Sequence, residues 1–511
     1  MNNFQTILTA IFLAFFVFAV LIFSGLIKIG NSSSSSSGLS GNIKIWGTLT
    51  SPNLYKVFQS APGKDNNNLY INYLIYNNSF GEINWINSSD LFLYNLKTET
   101  AQCLTKDSVD VRYGSVEWMP DESAFFTITN KGREFYGLAK YEIQKGTFTY
   151  VFTPKWNVRG YFISKDGKQM LATINEGGYV KLGLYKVDTF ESIECNLPKG
   201  SFGGYSFSKD GTSIVYSFGN SRSTYNIYIH NLKTGEAKQL TNSTQGVPKE
   251  ELVEPELIHF SSFDGLSVPA FVYKPEDIPD GVKLPVIINI HGGPACQYMP
   301  GFNPFVQYFV KAGYIVVAPN VRGSAGYGKS YLALDDVEKR MDSVKDIVAL
   351  REYLATLSYI DEDKIILKGG SYGGFMVNAC LAFYPKLWAG GISEVGIANF
   401  ITFLENTAPY RRANREAEYG SLKNDYEFLK SISPINAIDN VKAPLLIVHG
   451  ANDPRVPLFE AQQMEEKIKK NGGEVELIVY PDEGHGISKH KNKVDLYPKI
   501  VAFLERIINS V

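Results

Sequence analysis

Hydrophobic positions change their spacing along the chain, and each change predicts a different element. The first pattern is a run of 21 residues without a charge, Ile7 to Ile27. At about 1.5 Å per residue it reaches roughly 31 Å, the depth of a bilayer's hydrocarbon core. Residues 1–30 are therefore expected to form an N-terminal transmembrane anchor, with the catalytic part extracytoplasmic. A cleaved signal peptide is the competing reading, but Met1–Thr6 carries no Lys or Arg and the apolar run exceeds an ordinary h-region. Residues 31–41 are Ser- and Gly-rich and read as a flexible tether.

The second pattern is short strand-like alternation broken by turn residues at a fixed interval. Asp121, Asp166 and Asp210 sit in equivalent turns, 45 and 44 residues apart. A second turn series starts at Tyr94, Tyr141, Tyr185 and His230, in phase with the first. Two interleaved series at one period predict four-stranded units of about 45 residues, the size of a propeller blade. Residues 87–250 hold only about 3.6 such units, whereas a closed ring uses four or more. A short or incomplete β-propeller-like domain is expected there. Residues 42–86 follow the repeat poorly and are left unassigned.

The third pattern fills residues 251–511. Nearly continuous apolar runs of strand length occur at Pro285–Ile290, Tyr314–Ala318, Lys364–Leu367, Pro444–Val448 and Val475–Tyr480. Between them lie helical stretches. Asp342–Leu357 puts Val344, Ile347, Leu350 and Leu354 on one side, and Pro457–Lys470 is the other clear case. Strands apolar on both faces and joined by helices predict a doubly wound, mainly parallel sheet. Such sheets carry their sites at the C-terminal ends of the strands.

Composition excludes more than it selects. Fifty Lys and Arg against 52 Asp and Glu leave a net charge of −2, which argues against nucleic acid as a partner. The four cysteines, Cys103, Cys195, Cys296 and Cys380, form no C-x-x-C pair, so a thiolate metal site is not expected. No cofactor and no metal are expected.

The chemistry lies at three strand ends. Gly369-Gly370-Ser371-Tyr372-Gly373 is a G-x-S-x-G turn between a strand and a helix, which would expose the Ser371 hydroxyl. A hydroxyl needs a base. Of six histidines, His485 follows the strand Val475–Tyr480 and precedes the last helix, which makes it the candidate. His490 reads as solvated and His449 as packed. Asp453, after the strand Pro444–Val448, is the candidate carboxylate to orient His485. The order Ser371, Asp453, His485 is that of α/β-hydrolases. The Tyr372 N–H and the Gly293 N–H are the expected oxyanion donors, with the Tyr298 hydroxyl as a rival. Arg411 and Arg412 are either substrate-carboxylate ligands or a solvated pair.

Residues 255–511 resemble the catalytic domain of the prolyl-oligopeptidase family of serine peptidases, in its acylaminoacyl- and dipeptidyl-peptidase-like branch. The resemblance rests on His291-Gly292-Gly293-Pro294, the Pro319–Gly328 loop, Gly369–Gly374 and His449–Pro457. It implies a propeller capping an α/β-hydrolase site, and hydrolysis of short peptides through an acyl-enzyme on Ser371. An esterase on the same triad is the alternative. A membrane-tethered binding module with a vestigial hydrolase domain is a third reading, and the full complement of triad residues speaks against it. P1 preference and oligomeric state have no signature in the chain.

Overall fold

The computed structural model describes residues 58–62, 68–73, 90–95, 100–105, 111–119, 123–243 and 246–510. The apolar run Ile7–Ile27 and the Ser/Gly tether lie outside them. Among the described residues no helix is long and apolar enough to cross a membrane.

The N-terminal part is built from four four-stranded antiparallel sheets, each a meander in chain order. The second spans Tyr113–Trp118 to Thr147–Phe152, the third Asn157–Ile163 to Ser192–Ile193, and the fourth Ser201–Phe207 to Ala237–Gln239. The first begins at Phe58–Pro62 and Asn68–Tyr73 and ends at Thr100–Cys103. It crosses the boundary drawn at residue 87 and takes two strands from the unassigned stretch. The 44-residue step is a repeat of hydrogen bonds as well as of letters. Asp166 Oδ1 accepts from Ser164 Oγ at 2.7 Å and from Lys168 N at 3.1 Å. Asp210 Oδ1 accepts from Ser208 Oγ at 2.6 Å and from Thr212 N at 3.1 Å. Gly167 and Gly211 then close the turns at φ +72° and +71°, a conformation that favours glycine.

The C-terminal part is one eight-stranded sheet flanked by helices. Its strand order is Glu256–Ser261, Ser267–Tyr273, Ile315–Pro319, Leu284–Ile290, Ile360–Gly370, Gly390–Glu394, Leu445–Gly450 and Val475–Tyr480. The first two strands are antiparallel additions at one edge, and the remaining six are parallel. Alternation sends Ile365 and Leu367 to one face and Ile366 to the other, and all three are fully buried. The helix Arg340–Ala355 covers the first face with Val344, Ile347, Leu350 and Leu354. The helix His490–Ser510 covers the second with Leu496, Ile500, Phe503 and Leu504. Burial of this apolar surface, at about 25 cal/mol per Å², is the main force holding the sheet between its helices. Hydrophobic spacing did not reveal Gly390–Glu394, since two of its five residues are glycine. The structure pairs it between Ile360–Gly370 and Leu445–Gly450, in the middle of the sheet.

Candidate active site

The strand Ile360–Gly370 runs directly into the helix Tyr372–Phe383, and Ser371 is the single residue between them. Its backbone lies at φ +58°, ψ −117°. A non-glycine residue in such a conformation stores about 1–3 kcal/mol. Its N–H is held by the Glu394 carbonyl at 2.8 Å, and its carbonyl receives Phe375 N at 3.0 Å. Gly373 makes the turn possible, because a Cβ there would lie 2.2 Å from the Ile290 carbonyl oxygen.

His485 and Asp453 come to Ser371 from loops after the last two strands. Ser371 Oγ is 3.0 Å from His485 Nε2, and His485 Nδ1 is 2.7 Å from Asp453 Oδ2. An ionised Asp453 is acceptor only, so Nδ1 is the donor and Nε2 is left to accept the serine proton. Burial alone would push the Asp453 carboxyl up. The hydrogen bonds from His485 and from the backbone N–H groups of Arg455 and Val456 outweigh it and hold the group below the usual carboxylate range. His449 steadies the loop from beneath: fully buried, it gives its Nε2–H to the Val456 carbonyl at 2.9 Å. Of the remaining histidines, His490 is exposed at the start of the last helix, and His230 is buried in the fourth N-terminal sheet.

The His291–Pro294 loop runs against the nucleophile. A Cβ on Gly292 would lie 3.4 Å from Ser371 Cβ. Gly293, at φ +141°, lines the same pocket as Ser371 and His485. The loop is tied to the Pro319–Gly328 segment, where Ser324 Oγ lies 2.9 Å from His291 Nε2. Tyr298 is turned elsewhere. Its hydroxyl meets the Tyr273 hydroxyl at 3.1 Å, and the ring packs against Phe271. Gly293, and not Tyr298, is among the described residues that line the pocket over Ser371.

Tyr372 follows the nucleophile, and its buried side chain is fixed by a polar network that sequence spacing could not reveal. Its hydroxyl sits 3.0 Å from Asp335 Oδ2, 2.7 Å from Ser343 Oγ and 3.1 Å from Arg340 Nη1. Arg340, fully buried, also pairs with Asp335, and it reaches Glu418 Oε1 at 2.6 Å. Burial pushes the Asp335 carboxyl up, and the Arg340 guanidinium opposes it. Among the described residues, Asp335, Asp336 and Glu418 are the one group close enough to share a cation. The guanidinium of Arg340 already occupies two of the three.

A pocket of about 570 Å³ opens over Ser371, with Arg112, Asp336, Arg415, Glu418 and Arg455 in its wall. Arg412 is not in this wall, and its guanidinium donates to the Glu405 carbonyl at 2.7 Å. The cation that the helix Pro409–Tyr419 gives the pocket is Arg415, one helical turn beyond Arg411.

Residues 300–511 match the model of the prolyl oligopeptidase family, so this stretch is a domain of that family. The chain is 28% identical over 339 residues to dipeptidyl peptidase family member 6 of Caenorhabditis elegans, covering 61% of this chain and 46% of that protein. It is 28% identical over 290 residues to dipeptidyl aminopeptidase BIII of Pseudoxanthomonas mexicana, covering 55% and 42%. The chain thus spans less than half the length of these curated relatives. The crystal structure of a puromycin hydrolase superposes with a TM-score of 0.80 at 19% identity, over 88% of this chain and 69% of that one. That likeness extends the shared fold across both the N-terminal sheets and the α/β part.

Proposed function

We propose that the protein is a serine peptidase that hydrolyses short peptides. Ser371 attacks the scissile carbonyl, and His485 takes its proton and returns it to the leaving amine. Asp453 holds the imidazole in the productive tautomer. The backbone N–H groups of Tyr372 and Gly293 receive the negative charge that develops on the carbonyl oxygen. Water then enters, is activated by the same imidazole, and releases the acyl group.

The observation that carries this reading is the unbroken relay from Ser371 Oγ through His485 to Asp453, at 3.0 and 2.7 Å. The family domain over residues 300–511 supports the peptidase class. The four N-terminal sheets support a propeller-like cap. In each adjacent pair, the opening strand of the later sheet packs against the sheet before it. The uncharged run Ile7–Ile27 supports a membrane anchor, which membrane fractionation of cells expressing the full chain would test.

A fluorophosphonate probe should label the full chain at Ser371, and labelling should vanish in Ser371→Ala. Peptide amides should be turned over. Turnover of p-nitrophenyl esters without any peptide cleavage would replace the peptidase by an esterase.

A further inference from the structure

The site has a charge bias that the triad does not use. Beside the pocket over Ser371 lies a second cavity of about 580 Å³, between the N-terminal sheets and the α/β domain. Arg112 and Cys296 line both. Among the described residues, the charged side chains lining the second cavity are Arg112 and Arg159, beside neutral polar groups such as Asn157, Asn175 and Gln297. Arg159 also faces the adjoining cavity of about 500 Å³, where it is the one charged residue among those described.

Two nearby acids are engaged by other groups. Glu418 is held by Arg340. Glu134, near the cavity, is spent on Ser330, accepting from its N at 2.6 Å and its Oγ at 2.9 Å. Among the described residues Arg159, Arg415 and Arg455 have no carboxylate within ion-pair distance. The side-chain partner of Arg159 is the Met299 thioether, 3.3 Å from Nη1. A guanidinium against a sulfur keeps most of its five donors for another acceptor.

We propose that this chamber selects peptides carrying a carboxylate, which Arg159 receives as a forked ion pair while the scissile bond lies over Ser371. This rests on the peptidase reading and names its substrate class. Arg159 is exposed to the cavity, and a carboxylate matches its guanidinium fork in shape and charge. The neighbouring cations Arg415 and Arg455 add an attractive field along the way in, and the same field disfavours a basic peptide. The anion is either an acidic side chain or the free C-terminus, and both present the same group.

The test uses the full chain and a set of peptides on one uncharged scaffold, in which each position in turn is Ala, Gln, Glu or Lys and the C-terminus is free or amidated. A charge-assisted hydrogen-bond pair is expected to raise kcat/KM roughly tenfold for Glu over Gln at one position, or for the free over the amidated terminus. The position, or the terminus, that responds identifies the source of the anion. Arg159→Gln should bring that ratio to about twofold or less, and Arg159→Lys should restore part of it, because charge without the fork remains. Equal rates across the set, with neutral peptides cleaved, would overturn the chamber's selectivity and leave the peptidase standing. A preference that survives Arg159→Gln unchanged would also overturn it. No cleavage of any peptide, with Ser371 still labelled by the probe, would overturn both.

Discussion

A carboxylate that orients an imidazole has one useful state, and Asp453 is held in it by the N–H groups of Arg455 and Val456 and by His485 itself. Asp453→Asn keeps the size but offers an N–H where an acceptor is needed, so the imidazole takes the wrong tautomer. The expected loss in kcat is roughly 10³- to 10⁴-fold, with an unchanged melting curve as the control. A loss under tenfold would mean that the carboxylate only packs. Held below the usual carboxylate range, Asp453 keeps its charge at pH values where a free carboxyl would begin to protonate. Peptide hydrolysis should fall on acidification, because a protonated imidazole cannot accept the serine proton. A flat profile would contradict the relay. At this scale the site was readable from the chain because each triad residue sits in a turn that follows an apolar strand. Arg340 and Arg415 were not readable. One is a fully buried cation whose partners lie 5 and 78 residues away, and the other belongs to a helix with an unremarkable polar sequence.

At the scale of elements, two buried acids fasten loops to helices. Arg322, in the Pro319–Gly328 loop, is nearly inaccessible. It meets Asp346 through Nη2 at 2.8 Å and Asp264 through Nη1 at 2.9 Å. Asp346→Ala would leave that cation with Asp264 as its one carboxylate partner and should cost up to about 3–5 kcal/mol of stability in urea titrations. It should also loosen the His291 loop through Ser324. Glu460, on the helix Leu458–Lys470, accepts the N–H groups of Ala398 and Asn399 at 3.0 and 2.8 Å, at the start of the helix Phe400–Asn406. Burial pushes its carboxyl from the ordinary 4.5 to about 7. The folded state therefore holds a proton that the unfolded chain releases. The stability this contributes is complete below about pH 4.5 and drains away as pH rises towards about 7. Glu460→Gln should flatten the dependence of urea midpoint on pH across that window, and an equally steep slope in the variant would count against it. The strands of the α/β part were legible where Val and Ile run unbroken. The antiparallel edge pair Glu256–Ser261 and Ser267–Tyr273 was not, because its first strand alternates with exposed residues and resembles the repeats before it.

For the whole molecule, the repeat period predicted the strand meanders but not where they begin. Phe58–Pro62 and Asn68–Tyr73 carry no turn residues in phase with the later sheets, and only their pairing with Asp90–Asn95 reveals them. The two parts of the molecule meet at a few polar links. Asn175 Nδ2 donates to Gln297 Oε1 at 2.7 Å, and Glu134 holds Ser330. Gln307, on the helix Pro304–Lys311, is the most enclosed link. Its Nε2 donates to the carbonyls of Ser221 and Val253, each at 2.9 Å, and its Oε1 accepts Val253 N at 2.9 Å. Gln307→Leu should lower stability by about 1–3 kcal/mol for each polar group left bare. Fluorophosphonate labelling of Ser371 at low temperature should persist, since the amide touches none of the reacting atoms. One side chain thus stitches the last repeat sheet, the linker and the hydrolase together in a dry seam. Swinging the two halves apart about residue 253 would expose all three stitches at once, so that joint is the stiff one. Entry for a peptide is cheaper wherever the seam is already wet.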